Sequence, residues 1–516
     1  MNKIRALFLV FLQWWLLVPL AVSAAPPLSA IEWLQNVQPP IIADPVQPSS
    51  KIVDIENSEV IIPQVNGISV TPLNQITPDA VGLLPSYITG FPGDLWAHSP
   101  PERLASLIAE TNVDNQPAMQ ALLLTLLLAE TDPPKGFDPK MQVLLARIDK
   151  LIELGAIEPA LALLERAGAQ SPELFYRAFN LALLANKTVP ACRKVLTEPS
   201  LQPSYEVRIF CHVRNGDWAL ASFLLETASA LGDISPRIAQ LLNLFLNPDL
   251  AEEILPPVPS VRPSPLEFRL FEAIGSPLQT ASLPVAFAVA DLSGNGGWKA
   301  QIDAAERLVQ SGALSENQLL GIYTARLPTA TGGIWDRVAG LQRFDQALTA
   351  GTPDEVNAAL MEVWPHMQKA GLAVGFARMF SRALMDQPMS QTTGRAQFDI
   401  TMLGPSYEAA SRIRPQHSQE DRFLSALAEG RLAPGTAFNE ASGAVLRGLT
   451  AEPVPKTLQE MLEQDRLGEV ILHAIATYCD GIESDYQKIS MALATLQAVN
   501  LQSTVRSAAL QFLLLP

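Results

Sequence analysis

The chain is short of positive charge, of cysteine and of histidine, and beyond its first two dozen residues it has no long apolar run. Lys and Arg number 36 against 52 Asp and Glu, for a formal charge of −16 over 516 residues. A surface of that sign repels a phosphate backbone, and no basic stripe reverses it locally, so no nucleic-acid partner is expected. The five histidines, His98, His212, His366, His417 and His473, stand singly, with no HExxH and no pair at metal-ligand spacing. GxSxG and GxxxxGK[ST] are absent as well. In DLSGNGGW, Asp291, Ser293 and Asn295 alternate ahead of Gly296 as in a calcium loop, but Ile302 occupies the position that needs a bidentate acid. That stretch reads as a Gly-rich interhelical loop. No metal and no cofactor are expected.

What is present is a globular composition, 48% hydrophobic and 17% charged, punctuated by 42 prolines. The opening MNKIRALFLVFLQWWLLVPLAVSAAPP has Lys3 and Arg5, an apolar run from Ala6 to Val22, then small residues. This is the pattern of a secretory signal peptide over 1–24, cleaved after Ala24 with Val22 and Ala24 at the small-residue positions. Gln13 and Pro19 interrupt the run, which is short for a bilayer span. The mature chain is therefore expected in the periplasm, with no stable membrane span. Residues 25–98 are rich in proline, which excludes long helices. They read as a partly extended arm with short strands around the turn Val65-Asn66-Gly67.

Beyond it, apolar residues recur at spacings of three and four almost throughout. Ser99 with Glu102, and Thr352 with Glu355, have capping-box spacing; Ser171-Pro172 and Ser235-Pro236 read as helix starts. The expected fold is all-α: an α-solenoid of antiparallel helix pairs, with one array over 99–254 and a second over 266–516. Between them LPPVPSVRPSP, residues 255–265, forms a proline-rich joint. A bend within one continuous solenoid fits the same residues.

Two stretches carry a more specific pattern. In LIELGAIEPALALLERAGAQSP, Gly155 is followed by Ala160, Leu164, Ala167 and Pro172. In NGDWALASFLLETASALGDISP, Gly216 is followed at the same offsets by Ala221, Leu225 and Ala228, with the proline displaced to Pro236. Small residues let neighbouring helices approach and the leucine fills the space between them. Both resemble the second half of a tetratricopeptide repeat. That resemblance implies a concave face, lined by first helices, that binds proteins or peptides. Trp218, beside the Gly216 turn, is the candidate anchor for such a partner, core packing being the other reading. Gly312, Gly371 and Gly430 repeat a spacing of 59 residues without the alanine offsets.

Few residues are left for chemistry. Cys192 and Cys211 flank a hairpin centred on TEPSLQPS and are candidates for a disulfide, or else two buried thiols; Cys479 is the odd one. GIESDYQKIS offers Glu483, Ser484 and Tyr486, which resemble the Glu-Ser-aromatic element of soluble lytic transglycosylases, periplasmic helical solenoids that cleave peptidoglycan. The Gly-Leu-Met-Gln segment that family requires downstream is replaced by ALATLQAVN. The expectation is an exported, non-enzymatic scaffold or regulator of an envelope protein complex, with a transglycosylase-like enzyme or its degenerate relative as the alternative. The terminal QFLLLP reads as a buried helix edge or a docking tail.

Overall fold

The computed structural model describes residues 78–516, apart from 135–139, 169–170, 202, 389, 391–392, 413–417, 484 and 516. The expected signal peptide, its cleavage site, the strands near residue 66, His417 and Ser484 lie outside the described residues. The chain divides into two units, Met1–Thr71 and Pro72–Pro516. Everything below concerns the second.

That unit is all-α, a solenoid-like succession of packed neighbouring helices, and among the described residues the only β-type pairing is an isolated bridge between Leu84 and Ala129. The chain runs through α1 (Pro101–Glu110) and α2 (Pro117–Leu128) into three helix pairs. These are α3 (Gln142–Glu153) with α4 (Ile157–Ala167), α5 (Pro172–Leu184) with α6 (Thr188–Thr197), and α7 (Tyr205–Arg214) with α8 (Trp218–Leu231). Next come α9 (Pro236–Leu246) and, past the proline-rich joint, α10 (Pro265–Ala273). A middle group follows: α11 (Trp298–Gln310), α12 (Glu316–Thr324), α13 (Ile334–Ala350), α14 (Pro353–Lys369), α15 (Ala373–Met385) and α16 (Gly394–Leu403). The last group is α17 (Gln419–Ala428), α18 (Glu440–Thr450), α19 (Lys456–Leu462), α20 (Leu467–Gly481), α21 (Tyr486–Ala498) and α22 (Gln502–Leu514).

One local device makes the pairs. Gly155, Asn186, Gly216, Gly371, Asp465 and Asn500 each sit in the left-handed region, with φ between 58° and 87°, and the next helix begins two residues later. At each, the following N–H reaches back to a carbonyl of the finished helix, as in Ala156 to Leu151, Lys187 to Ala182 and Leu501 to Leu496, at 2.7 to 3.1 Å. This is the Schellman arrangement, which satisfies the last carbonyls and reverses the chain. Glycine, asparagine and aspartate supply it because other side chains are penalised there. Gly155, Asn186 and Gly216 follow one another at 31 and 30 residues, so the degenerate pair between the two tetratricopeptide-like stretches is α5 with α6.

Helix starts follow their serines: Ser171, Ser204, Ser235 and Ser264 each accept the N–H three residues on, and Thr352 with Glu355 forms a complete capping box. Ser99 departs from its expected role. Pro100 and Pro101 move the start of α1 forward by one residue, so Pro100 holds the cap position and makes no side-chain bond.

Residues Pro72–Pro516, which include both expected arrays and the joint at 255–265, form one compact unit. Its first and last helices share a core, in which Leu104, Ile108, Met119 and Leu123 are buried in one cluster with Ile475, Leu493, Val505 and Ala508. Gln511 on α22 accepts the N–H of Ala118 in the first turn of α2 at 2.9 Å. The Gly468 N–H donates to Leu95 at 3.1 Å, and a Cβ at Gly468 would lie 2.3 Å from the ring of Trp96. Residues 511–514 of QFLLLP end the last helix, with Phe512, Leu513 and Leu514 partly buried against the core. Arg147, wholly buried, donates to the carbonyls of Val81, Leu127 and Ala129 and pins the lead-in segment to α3. Burial draws its guanidinium down to about 10, with Asp79 opposing.

Two glycine substitutions test the turn. Gly216→Ala introduces a left-handed alanine into open space and is expected to cost about 1–2 kcal/mol. At Gly155 the same Cβ would also fall 2.6 Å from Val285 and 2.7 Å from Leu308, so Gly155→Ala is expected to cost clearly more. Urea unfolding of both variants checks the order.

Candidate interaction surface

The residues of the tetratricopeptide-like pattern act as packing elements. Ala160, Leu164, Ala221, Leu225 and Ala228 are buried, Ala167 is half-buried, Pro172 opens α5 and Gly155 and Gly216 make the turns. Cys192 on α6 and Cys211 on α7 are joined in a disulfide across 19 residues, with Cα atoms 4.9 Å apart. The bond ties the second helix of one pair to the first helix of the next. Both sulfurs lie within a hydrophobic cluster that runs from Phe175 to Phe271 and is distinct from the core shared by the chain ends.

This bridged region also carries most of the apolar surface. Ten of the 14 exposed large hydrophobic side chains among the described residues fall between Tyr176 and Val261. α8, WALASFLLETASAL, has a single charged residue, Glu226, which lies with Ser222 and Ser229 on one exposed polar stripe. Ala221, Leu224, Leu225 and Ala228 form its buried stripe. Leu220, Phe223 and Leu231 lie three and eleven residues apart on an adjoining stripe, with Phe223 62% and Leu231 66% exposed. Trp218 is 45% exposed, so it does not reside in the core. Contiguous apolar surface left open in this way is uncommon on a folded protein. The resemblance implies a binding face on first helices; the exposed apolar side chains here lie on α8, the second helix of its pair, while the first, α7, buries Val207, Ile209, Phe210 and Val213. At the α8 start, Asn215 and His212 hydrogen-bond Asp217 and hold its carboxyl below the usual range.

The proline-rich joint continues this surface along the chain. It is a strap fastened on both sides. Arg237 on α9 pairs with both oxygens of Glu267 on α10, at 2.6 and 3.2 Å, and donates to Ser260 Oγ at 2.8 Å. Glu267 accepts the Ser260 N–H and hydroxyl at 2.9 and 2.8 Å. Burial alone would raise the Glu267 carboxyl, but Arg237 and Ser260 outweigh it and hold the group below its ordinary value. α10 is itself docked, since Arg269 donates to the terminal carbonyls of α5 at Leu183 and Leu184, at 2.8 and 3.1 Å.

The residues considered for catalysis are arranged differently. Glu483 is exposed on the rim of a cleft of about 580 Å³ lined also by Glu110, Asp114 and Asp480, and Tyr486 packs edge-on against Phe512. A second cleft, about 590 Å³, lies between α2, α11 and the turn at Gly371 and contains the Arg378–Glu316 pair at 2.7 Å. Among the described residues no group of three His, Cys, Asp or Glu is placed to hold a metal, and no helix is long and apolar enough to cross a membrane. The loop at Asp291–Trp298 joins short helical turns to α11, with the Gln301 side chain donating to Leu292 at 2.8 Å.

In comparison with known proteins, the chain matches no family model, and no curated protein and no solved structure is similar to it. The likeness to tetratricopeptide arrays thus rests on the turns and packing described above.

Two measurements follow. Alkylation of denatured, unreduced protein is expected to label one cysteine, Cys479, whose thiol is pushed up to about 12 in the native state by burial and by Asp480 and Asp114. The native protein should label slowly, and reduction should add two sites and lower stability by about 3 kcal/mol. For the strap, a depressed carboxyl contributes stability above the ordinary glutamate value of 4.5 and loses it as pH falls through the lower folded value. Glu267→Gln is expected to remove that part of the acid dependence, measured as the pH profile of the unfolding midpoint.

Proposed function

We propose that this protein is an exported, non-catalytic scaffold or regulator that holds a protein or peptide partner in a bacterial envelope complex. The observation that carries the reading is the concentration of exposed apolar side chains on the bridged pairs between Tyr176 and Val261. Apolar and aromatic surface of this kind is costly to leave in water and is characteristic of interfaces. Trp218 and Phe223 are its aromatic anchors, and α8, which presents them, is held by Ala221, Leu224, Leu225 and Ala228 in the same hydrophobic cluster as the disulfide. Rigid presentation lowers the entropy lost on binding. The signal-peptide pattern supports an oxidising compartment, in which the Cys192–Cys211 bond persists.

The transglycosylase alternative is less well supported, since the proton donor of a glycosidase needs an environment that raises its pKa, and Glu483 is exposed.

Photo-crosslinking in the native cells tests the proposal. Benzoylphenylalanine in place of Phe223 or Leu231 is expected to give a discrete protein adduct, and the same group at Leu327 or Met361, exposed but outside this region, is not. The triple variant Leu220→Ser, Phe223→Ser, Leu231→Ser should fold with little loss of stability and lose at least nine-tenths of the partner. Equal adducts at all four positions would contradict the proposal.

A further inference from the structure

The strap itself points to a particular kind of partner, an inference that rests on the reading of this region as a docking surface. Residues 255–263 read LPPVPSVRP. Pro256, Pro257, Pro259 and Pro263 have φ fixed near −65°, and Leu255, Val258 and Arg262, each ahead of a proline, are driven to extended backbone. Ser260 and Val261 alone escape both restrictions; Arg237 and Glu267 grip Ser260, and Arg237 also donates to the Val258 carbonyl at 3.4 Å. Gln240 adds a bond to the Leu255 carbonyl at 3.4 Å. No helix or strand is formed here, and the chain bends only at Val261 and Arg262.

Proline spacing of this kind favours the polyproline II form, which has three residues per turn, and burial along 255–263 follows that period. Leu255, Val258 and Val261 are 86%, 81% and 97% exposed, whereas Pro257 and Ser260 are half-buried and Pro263 is buried. The third edge is Pro256, half-buried, then Pro259 and Arg262, both exposed. Arg262 makes no ion pair among the described residues. One edge is thus fastened to the body and two are turned outward, the first purely apolar and the second two prolines ending in a cation. A largely buried carboxylate and its arginine, which also join α9 to α10, hold this apolar ribbon in water.

We propose that residues 255–262 are a preformed ligand for a partner protein with an aromatic-lined groove, into which Val258 and the Pro256–Pro259 edge pack, with an acidic rim that meets Arg262. Grooves of that chemistry read proline-rich segments because the polyproline II form is already ordered and its ridges fit between aromatic rings. The fastening by Arg237, Glu267 and Ser260 removes the remaining ordering cost. A lipid surface suits it poorly, since the ribbon offers one cation on a chain of net charge −16.

The test uses the full chain in its own cells, with benzoylphenylalanine at Val258 in one strain and at Phe223 in another. The Val258 probe is expected to give one protein adduct, with the attachment mapped by mass spectrometry beside Trp, Tyr or Phe residues of the partner. Synthetic LPPVPSVRPSP added to isolated envelopes should reduce that adduct at least tenfold, and the same peptide with Pro256→Ala and Pro259→Ala should not. Both substitutions placed in the chain should lower the unfolding midpoint only slightly and reduce the adduct by a similar factor. Competition by both peptides alike, or an adduct to lipid or to a second copy of this chain, would overturn the inference. An adduct at Phe223 with none at Val258 would overturn it while sparing the broader reading. No adduct at either position would remove both.

Discussion

The left-handed residue that ends one helix and starts the next is the constraint on which this molecule depends. With φ between 58° and 87° at Gly155, Asn186, Gly216, Gly371, Asp465 and Asn500, each finished helix has its last carbonyls satisfied and its successor launched two residues later. Short joints of this kind make the two helices antiparallel neighbours, and small residues such as Ala160 and Ala221 then let them pack closely. Repetition of one turn accounts for much of the long helical body.

A simple array of pairs would leave two raw ends, each needing a polar cap. Here the last helices return to the first. Gln511 caps the start of α2, Gly468 admits the Trp96 ring against its backbone, and the buried Glu469 meets Arg103 and Arg466. The terminal apolar residues are spent in that closure. Most of the exposed large apolar side chains instead lie on α5, α6 and α8 and along the strap.

Much of the fold was legible in the sequence, and the losses have physical causes. Gly155 and Gly216 declared their turns because glycine is the commonest left-handed residue, and serine or threonine ahead of proline declared helix starts. Asn186, Asp465 and Asn500 make the same turn but read as ordinary polar residues, and Gly371 lacks the alanine offsets that mark the other glycines. The union of the two expected arrays was not legible, since pairing of Ala118 with Gln511 joins residues 393 apart and leaves no local trace. Of the candidate surface, Trp218 was visible as an amphipathic aromatic. Leu220, Phe223 and Leu231 were not, because an apolar stripe inside an apolar helix looks like core until its neighbours are known. The cysteines were legible as a pair from their distance to the hairpin, though not their bond, which depends on how closely α6 and α7 pack. The proline-rich joint was legible as a break in helix and illegible as a strap, because Arg237 and Glu267 meet only once α9 and α10 are in place.

Amide hydrogen exchange on the isolated protein and on its native complex tests the central claim, that the bridged pairs and strap are the partner-binding surface. The expected result is new protection on binding that is concentrated in 218–231 and 255–262, with the middle group of helices unchanged. Protection confined to the acidic cleft around Glu110, Asp480 and Glu483, with 218–231 exchanging as in the free protein, would contradict it.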